Sequence, residues 1–84
     1  MNSKQYKVLK KLFENPVSAT LRWTDIKQLT LAVGGIIKQG GGSRIRIVLR
    51  DRALNIHTPH PRKELKPYQI RAVRRLFKEG GIIP

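Results

Sequence analysis

The chain has 84 residues, contains no cysteine and carries a formal net charge of +13, because 18 Lys and Arg stand against five Asp and Glu. This length is typical of one small domain, and the lack of cysteine excludes disulfides and thiolate metal sites. No apolar run approaches the roughly 20 residues of a transmembrane helix, and the charged N-terminus lacks the apolar block of a signal peptide. We therefore expect a soluble cytoplasmic protein whose partner is a polyanion: nucleic acid, an anionic membrane surface or an acidic protein.

Two helices are predicted in the first half of the chain. Apolar residues at helical spacing predict the first over Ser3–Glu14, and it ends before Asn15-Pro16 because the residue preceding a proline is disfavoured in a helix. The second helix is predicted to have Thr24 as its N-cap and Asp25 in its first turn. It should end at Gly34-Gly35, since glycine adopts the left-handed conformation at low cost.

Three antiparallel strands are predicted in the centre, over residues 36–39, 43–49 and 53–57, with the three glycines 40–42 as a turn. Period-two alternation turns one face inward, carrying Ile45, Ile47, Leu49, Leu54 and Ile56, and leaves Val48 and Ala53 on the other face. The other face then displays Arg44, Arg46, Asn55 and His57. If the hairpin closes about Asp51-Arg52, position 49 pairs with 54, position 47 pairs with 56, and His57 lies opposite Arg46.

The last predicted helix spans Pro67–Glu79, with proline at a first helical position that needs no amide hydrogen. Its apolar stripe is Ile70, Val73, Leu76 and Phe77. Its basic side, which we expect to contact RNA, is Arg71, Arg74, Arg75 and Lys78. The predicted order α-α-β-β-β-α gives an α+β fold in which helices cover one face of a three-stranded antiparallel sheet.

The exposed sheet face carries the candidate chemistry. Cleavage of an RNA phosphodiester needs a base for the 2′-hydroxyl, an acid for the leaving oxygen and cations that hold the developing negative charge. Imidazole serves either proton-transfer role near neutral pH, and guanidinium binds phosphate through paired hydrogen bonds. His57 beside Arg44 and Arg46 is therefore a candidate RNase site that needs no metal or other cofactor.

Other interpretations stay open at this point. His57 and His60, the only two histidines, lie among prolines and could instead form a rigid loop whose imidazoles bond to backbone carbonyls. A metal site is disfavoured because the chain has no further histidine and few carboxylates. The segment Gly40–Ser43 is not a phosphate-binding P-loop, because no Lys-Ser/Thr pair follows it and no helix begins there.

The chain resembles the HicA family of toxins over about residues 22–81, which leaves residues 1–21 as an added helix and connector. The resemblance rests on a glycine-serine strand entry, a His-Pro segment and flanking positions: Trp23-x-Asp25, Leu29, Gly34-Gly35, Gly41–Ile47, His57–Pro61, Glu64–Lys66 and Val73. It implies a fold similar to the double-stranded-RNA-binding domain and mRNA interferase activity, an endoribonuclease action that arrests translation. It also implies neutralisation by a HicB-type antitoxin encoded beside it, with DNA contacted only through that antitoxin.

One position departs from the family pattern. HicA toxins commonly carry their catalytic histidine directly after the glycine-serine pair, where this chain has Arg44, and a guanidinium stays protonated and cannot act as a base. We expect His57 to handle protons instead, while Arg44 and Arg46 bind the scissile phosphate and Ser43 and Asn55 contact RNA. His60, at the family's His-Pro position, is interpreted as structural. The alternatives are a non-catalytic RNA-binding module and a basic DNA-associated or ribosome-associated protein.

Overall fold

The computed structural model describes residues 1–58 and 64–84. Its elements, in chain order, are α1 (Ser3–Leu12), α2 (Trp23–Ala32), β1 (Ile36–Gln39), β2 (Arg44–Leu49), β3 (Arg52–His57) and α3 (Pro67–Glu79). The predicted order α-α-β-β-β-α is confirmed, and the predicted bounds of α3 are correct. Helix α1 is two residues shorter than predicted, because Phe13 already has non-helical backbone angles and serves as its C-cap. No helix in residues 1–58 and 64–84 combines the length and apolarity needed to cross a membrane.

The three strands form one antiparallel sheet in the order β1-β2-β3. Its inner face, which the helices cover, carries Ile45, Ile47, Leu49 and Ile56, all buried. This confirms both the α+β class and the predicted inward-facing residues. The series α2-β1-β2-β3-α3 is the arrangement expected of a double-stranded-RNA-binding-domain-like fold.

The predicted register of the β2–β3 hairpin is wrong by two residues. Leu49 pairs with Arg52, Ile47 with Leu54, and Arg44 with His57. The connection is shorter than predicted, since only residues 50 and 51 join the strands and Arg50 adopts a left-handed φ of 58°. An even shift preserves which side chains share a face. His57 therefore stays on the exposed face but lies opposite Arg44 rather than Arg46.

The predicted N-cap of the second helix is also wrong. Helix α2 begins at Trp23, and its N-cap is Arg22 rather than Thr24. The cause is Asp25, whose Oδ2 accepts a hydrogen bond from the Arg22 backbone N–H at 3.0 Å and so stabilises the helix start from within the first turn. Arg22 is held extended because it forms a β-bridge with Glu64, next to a hydrogen bond of 2.8 Å from the Leu65 N–H to the Leu21 carbonyl.

Helix α1 belongs to the hydrophobic core. Its residues Leu9 and Leu12 are 1% and 0% exposed and join the buried side chains of α2, the sheet and α3. Arg74 of α3 adds polar contacts to the end of α1, where its guanidinium donates to the carbonyl oxygens of Leu12 at 2.8 Å and Glu14 at 2.6 Å. Burial of both leucines makes α1 a structural part of this protein.

Candidate functional site

The outer face of the sheet, which points away from the helices, carries two rows of polar side chains. Lys38, Arg46 and Asn55 lie in direct register across the three strands, and Arg44 lies opposite His57 in the next row. All five residues are exposed. Directly opposite residues have Cβ atoms about 4.5–5.5 Å apart. The corrected register therefore brings the imidazole of His57 next to the guanidinium of Arg44.

These two rows border a shallow depression at the end of the sheet where β1 and β3 finish. It is lined by Lys38, Gln39, Gly40, Arg44, Ile45, Arg46, Asn55, Ile56 and His57. The structure thus brings together four of the residues predicted for the site: Arg44, Arg46, Asn55 and His57. Lys38 was missed. Its position could have indicated it, because Lys38 is two residues after Ile36 in β1 and therefore shares the outer face with it once β1 pairs with β2.

The depression is strongly basic. The three strands contain no Asp or Glu. In the part of the chain that the structure describes, the ion pairs lie elsewhere: Arg22–Glu64, Arg52–Glu79 and Arg75–Glu79. The positive charges of Lys38, Arg44 and Arg46 are therefore not balanced by a carboxylate on the same face. An arrangement of this kind attracts and holds an anionic group such as a phosphate.

One turn and one contact between strand ends fix the backbone at the rim of the depression. The Gly40 N–H donates to the Arg44 carbonyl at 2.9 Å, and Gly42 has a left-handed φ of 66° that suits glycine. Across the sheet, the Thr58 backbone N–H and Oγ1 both donate to the Ser43 carbonyl, at 2.9 and 3.2 Å. Ser43 itself is a turn residue rather than the first residue of β2. These bonds hold the ends of β2 and β3 together, beside the Arg44–His57 pair.

A family model described as the HicA toxin of bacterial toxin–antitoxin systems matches residues 23–82. The chain belongs to the HicA toxin family. Its function is therefore that of a toxin in a toxin–antitoxin system, and an antitoxin is its partner. No curated protein and no solved structure matches the chain. The match includes every residue of the depression, whereas helix α1 precedes it.

Gln69 is a second residue near the site that the sequence of this HicA toxin did not predict. It lies in the first turn of α3, and its side chain is 3% exposed. Its Nε2 donates to the His57 carbonyl at 2.6 Å, and its Oε1 accepts from the Lys66 N–H at 3.0 Å. A glutamine three residues after an N-cap is a known capping signal, so the bond to Lys66 was predictable. The bond to His57 was not, because it depends on how α3 packs against β3.

The basic residues predicted on α3 do not line the depression. Arg71 and Arg75 border a separate groove between α3 and the beginning of β3, at the other end of the strand from His57. Arg75 also pairs with Glu79 at 3.3 Å. The guanidinium of Arg74 is engaged at the end of α1, where its third contact is to Asn15 Oδ1 at 3.3 Å. Lys78 is exposed in the last turn of the helix.

His60 lies outside the described residues, so its interpretation as a structural residue stays a prediction. Within residues 1–58 and 64–84, no group of three or more His, Asp or Glu side chains is arranged to hold a metal ion. His57 supplies the one imidazole among the residues that line the depression. The site therefore combines one imidazole with three basic side chains, those of Lys38, Arg44 and Arg46.

Proposed function

We propose that this HicA toxin is a metal-independent endoribonuclease that cleaves mRNA and thereby arrests translation, and that a HicB-type antitoxin neutralises it. The observation that carries the proposal is the pairing of His57 with Arg44 inside a basic depression that contains no carboxylate. Family membership supports the toxin role. The side chains of the depression supply the groups that RNA cleavage requires.

His57 is assigned the proton transfer. In its neutral form the imidazole takes the proton of the ribose 2′-hydroxyl, and the resulting oxygen attacks the adjacent phosphorus. The bond from phosphorus to the 5′-oxygen breaks, and that oxygen takes a proton from the imidazolium or from water. The products are a 2′,3′-cyclic phosphate and a 5′-hydroxyl. Because the nucleophile belongs to the ribose, DNA cannot undergo the reaction.

Arg44 and Arg46 are assigned the phosphate. As the 2′-oxygen attacks, negative charge grows on the two non-bridging oxygens, and fixed cations stabilise that charge more than the charge of the ground state. Arg44 lies directly opposite His57, so a phosphate bound to its guanidinium places the neighbouring ribose beside the imidazole. Lys38, in register with Arg46 across β1 and β2, adds a third charge. Asn55 offers an amide for a base or ribose.

A non-catalytic RNA-binding module is the second candidate, and one observation favours it. The position that usually holds the catalytic histidine of the family is Arg44, which can bind a phosphate but cannot accept a proton. If His57 does not take over that role, the depression binds RNA without cleaving it. The two functions separate in one experiment, because cleavage gives fragments and binding gives only a mobility shift.

The test is incubation of the purified toxin with a long mRNA transcript in EDTA. We expect fragments that end in 2′,3′-cyclic phosphate. His57→Ala should lower the cleavage rate about 100- to 10,000-fold while the transcript is still shifted. His60→Ala, which removes the other imidazole of the chain, is the matched comparison and should cleave as wild type does. Loss of cleavage in His60→Ala with retention in His57→Ala would refute the assignment, and a shift without fragments from wild type would support the binding module.

Growth arrest on induction gives the corresponding test in cells. Wild type should stop growth, His57→Ala should not, and co-expression of the HicB-type antitoxin encoded beside the toxin should restore growth. Growth arrest by His57→Ala equal to that by wild type would remove His57 from the mechanism. Arrest that the antitoxin does not relieve would contradict the proposed partner.

A further inference from the structure

The outer face of the sheet has a third row that the proposed RNA site does not use. Ile36 pairs with Val48, and Val48 pairs with Ala53, so these three side chains lie in direct register across all three strands. We call them the apolar row. They occupy the end of the sheet away from the depression. Ile36 is 53% exposed, Ala53 is exposed and Val48 is half-buried.

The apolar row is unusual because its three apolar side chains are adjacent and lie next to a row of polar residues. A single exposed apolar side chain is ordinary on a protein surface. Here three lie side by side, and the next row along the same strands is Lys38, Arg46 and Asn55. An apolar patch next to polar and charged residues matches a protein–protein interface, where the apolar part provides the anchor and the polar part provides the rim.

Charge decides between the possible occupants. A second copy of this chain would bring the same face, with its own Lys38 and Arg46, against the first, and each copy carries +13. A two-fold interface of that kind sets like charges together. The acidic side chains of a different partner would instead be attracted to Lys38 and Arg46. The partner that family membership supplies is the antitoxin.

We propose that the apolar row is the anchor on which the antitoxin docks. An apolar side chain of the antitoxin lies across Ile36, Val48 and Ala53, and acidic side chains beside it meet Lys38 and Arg46. Bound in this way, the antitoxin also covers the depression. The inference rests on the HicB-type antitoxin of the proposed function but not on RNA cleavage, because the apolar row is separate from His57 and Arg44.

The proposal predicts that antitoxin binding and RNA cleavage can be separated by mutation. Ile36→Ser removes the largest side chain of the anchor and should weaken binding of the purified antitoxin at least about 10-fold, which corresponds to about 1.4 kcal/mol. RNA cleavage by the same variant should follow wild type. The matched control is Leu31→Ser on α2, because Leu31 is 52% exposed and Ile36 is 53% exposed. Leu31→Ser should bind the antitoxin as wild type does.

A second variant guards against a folding defect in Ile36→Ser. Ala53→Glu places a negative charge in the apolar row, on an exposed residue, and should also weaken antitoxin binding. Circular dichroism verifies that each variant is folded. In cells, co-expression of the antitoxin should relieve growth arrest by wild type and by Leu31→Ser but not by Ile36→Ser or Ala53→Glu.

Three results would overturn the proposal. The first is that folded Ile36→Ser and Ala53→Glu bind the antitoxin with the affinity of wild type. The second is that Leu31→Ser weakens antitoxin binding as much as Ile36→Ser does. The third is that wild type sediments as a dimer and Ile36→Ser dissociates it. The last would assign the apolar row to a second copy. Failure of wild type to cleave RNA would contradict the endoribonuclease alone, because antitoxin affinity is measured without RNA.

Discussion

The hydrogen bonds of Gln69 lead to a prediction about both stability and activity. This side chain is 3% exposed and joins the end of β3 to the start of α3, through the His57 carbonyl at 2.6 Å and the Lys66 N–H at 3.0 Å. Gln69→Met keeps a similar shape and removes both hydrogen bonds. Gln69→Glu keeps an acceptor for Lys66 but has no N–H to donate to His57.

The expected loss follows from the two backbone groups that Gln69→Met leaves without a partner. A buried group left unsatisfied costs about 1–3 kcal/mol. His57 and Lys66 are exposed residues, so water can partly replace the lost bonds, and we take about 1 kcal/mol for each. The free energy of unfolding should then fall by about 2 kcal/mol, which lowers the Tm of a domain this small by about 8–16 °C.

Thermal denaturation followed by circular dichroism measures this shift, and RNA cleavage well below the Tm of each variant tests positioning of His57. We expect Gln69→Glu to lower kcat with little change in KM, because the RNA still meets the same cations while the imidazole is no longer held in place. A Gln69→Met variant with the Tm of wild type would refute the stability reasoning. Wild-type kcat in folded Gln69→Glu would show that Gln69 does not position His57.

Three further predictions concern packing, α1 and charge. Gly35→Ala should destabilise the protein by about 1–3 kcal/mol, because the new Cβ would lie 2.6 Å from Thr30 Cγ2. In the comparison variant Gly34→Ala the new Cβ meets nothing within 4 Å, and the only cost is the strain of a φ of 87°. Chemical denaturation compares the stability of the two variants. Arg74→Ala should lose about 2 kcal/mol and expose α1 to amide exchange, since three hydrogen bonds to the end of α1 disappear. Arg46→Ala should reduce the slope of log affinity for RNA against log salt by about 0.7, with Lys27→Ala on α2 as the charge-matched control.

Each of these predictions has a contrary result. Wild-type stability in Gly35→Ala would mean that the structure around Gly35 moves aside without loss. Unchanged amide exchange in Arg74→Ala would mean that Leu9 and Leu12 alone hold α1 in place. A slope change in Lys27→Ala equal to that in Arg46→Ala would mean that RNA responds to net charge rather than to the depression.

Periodicity predicted the elements and their faces because it depends only on neighbouring residues. The alternation that placed Ile45 and Ile47 inside and Arg44 and Arg46 outside is correct, and so is the apolar stripe of α3. Sequence alone could therefore place Arg44, Arg46, Asn55 and His57 together on the outer face, although it missed Lys38. That prediction needed only the faces of the strands, which an even error in register does not change.

The predictions that were wrong or missing concern features set by a choice between local conformations or by a contact between residues distant in sequence. The hairpin register depended on Arg50 adopting a left-handed φ without being a glycine, and its Nε donates to the Gly80 carbonyl at 2.9 Å, 30 residues away. The start of α2 depended on which of Thr24 and Asp25 caps it. Gln69 reaches His57 across 12 residues, so no pattern within its own helix indicated that bond.

The contacts between α1 and α3 also bear on how the toxin folds during synthesis. The hydrogen bonds of Arg74 join residues 59 to 62 positions apart, so α1 leaves the ribosome long before the helix that completes its packing. Until α3 emerges, Leu9 and Leu12 lack part of the apolar surface that later covers them. The sheet that bears Arg44 and His57 likewise lacks the α3 contact made through Gln69. Nascent toxin chains therefore complete the packing of α1 and of this sheet only after α3 has emerged.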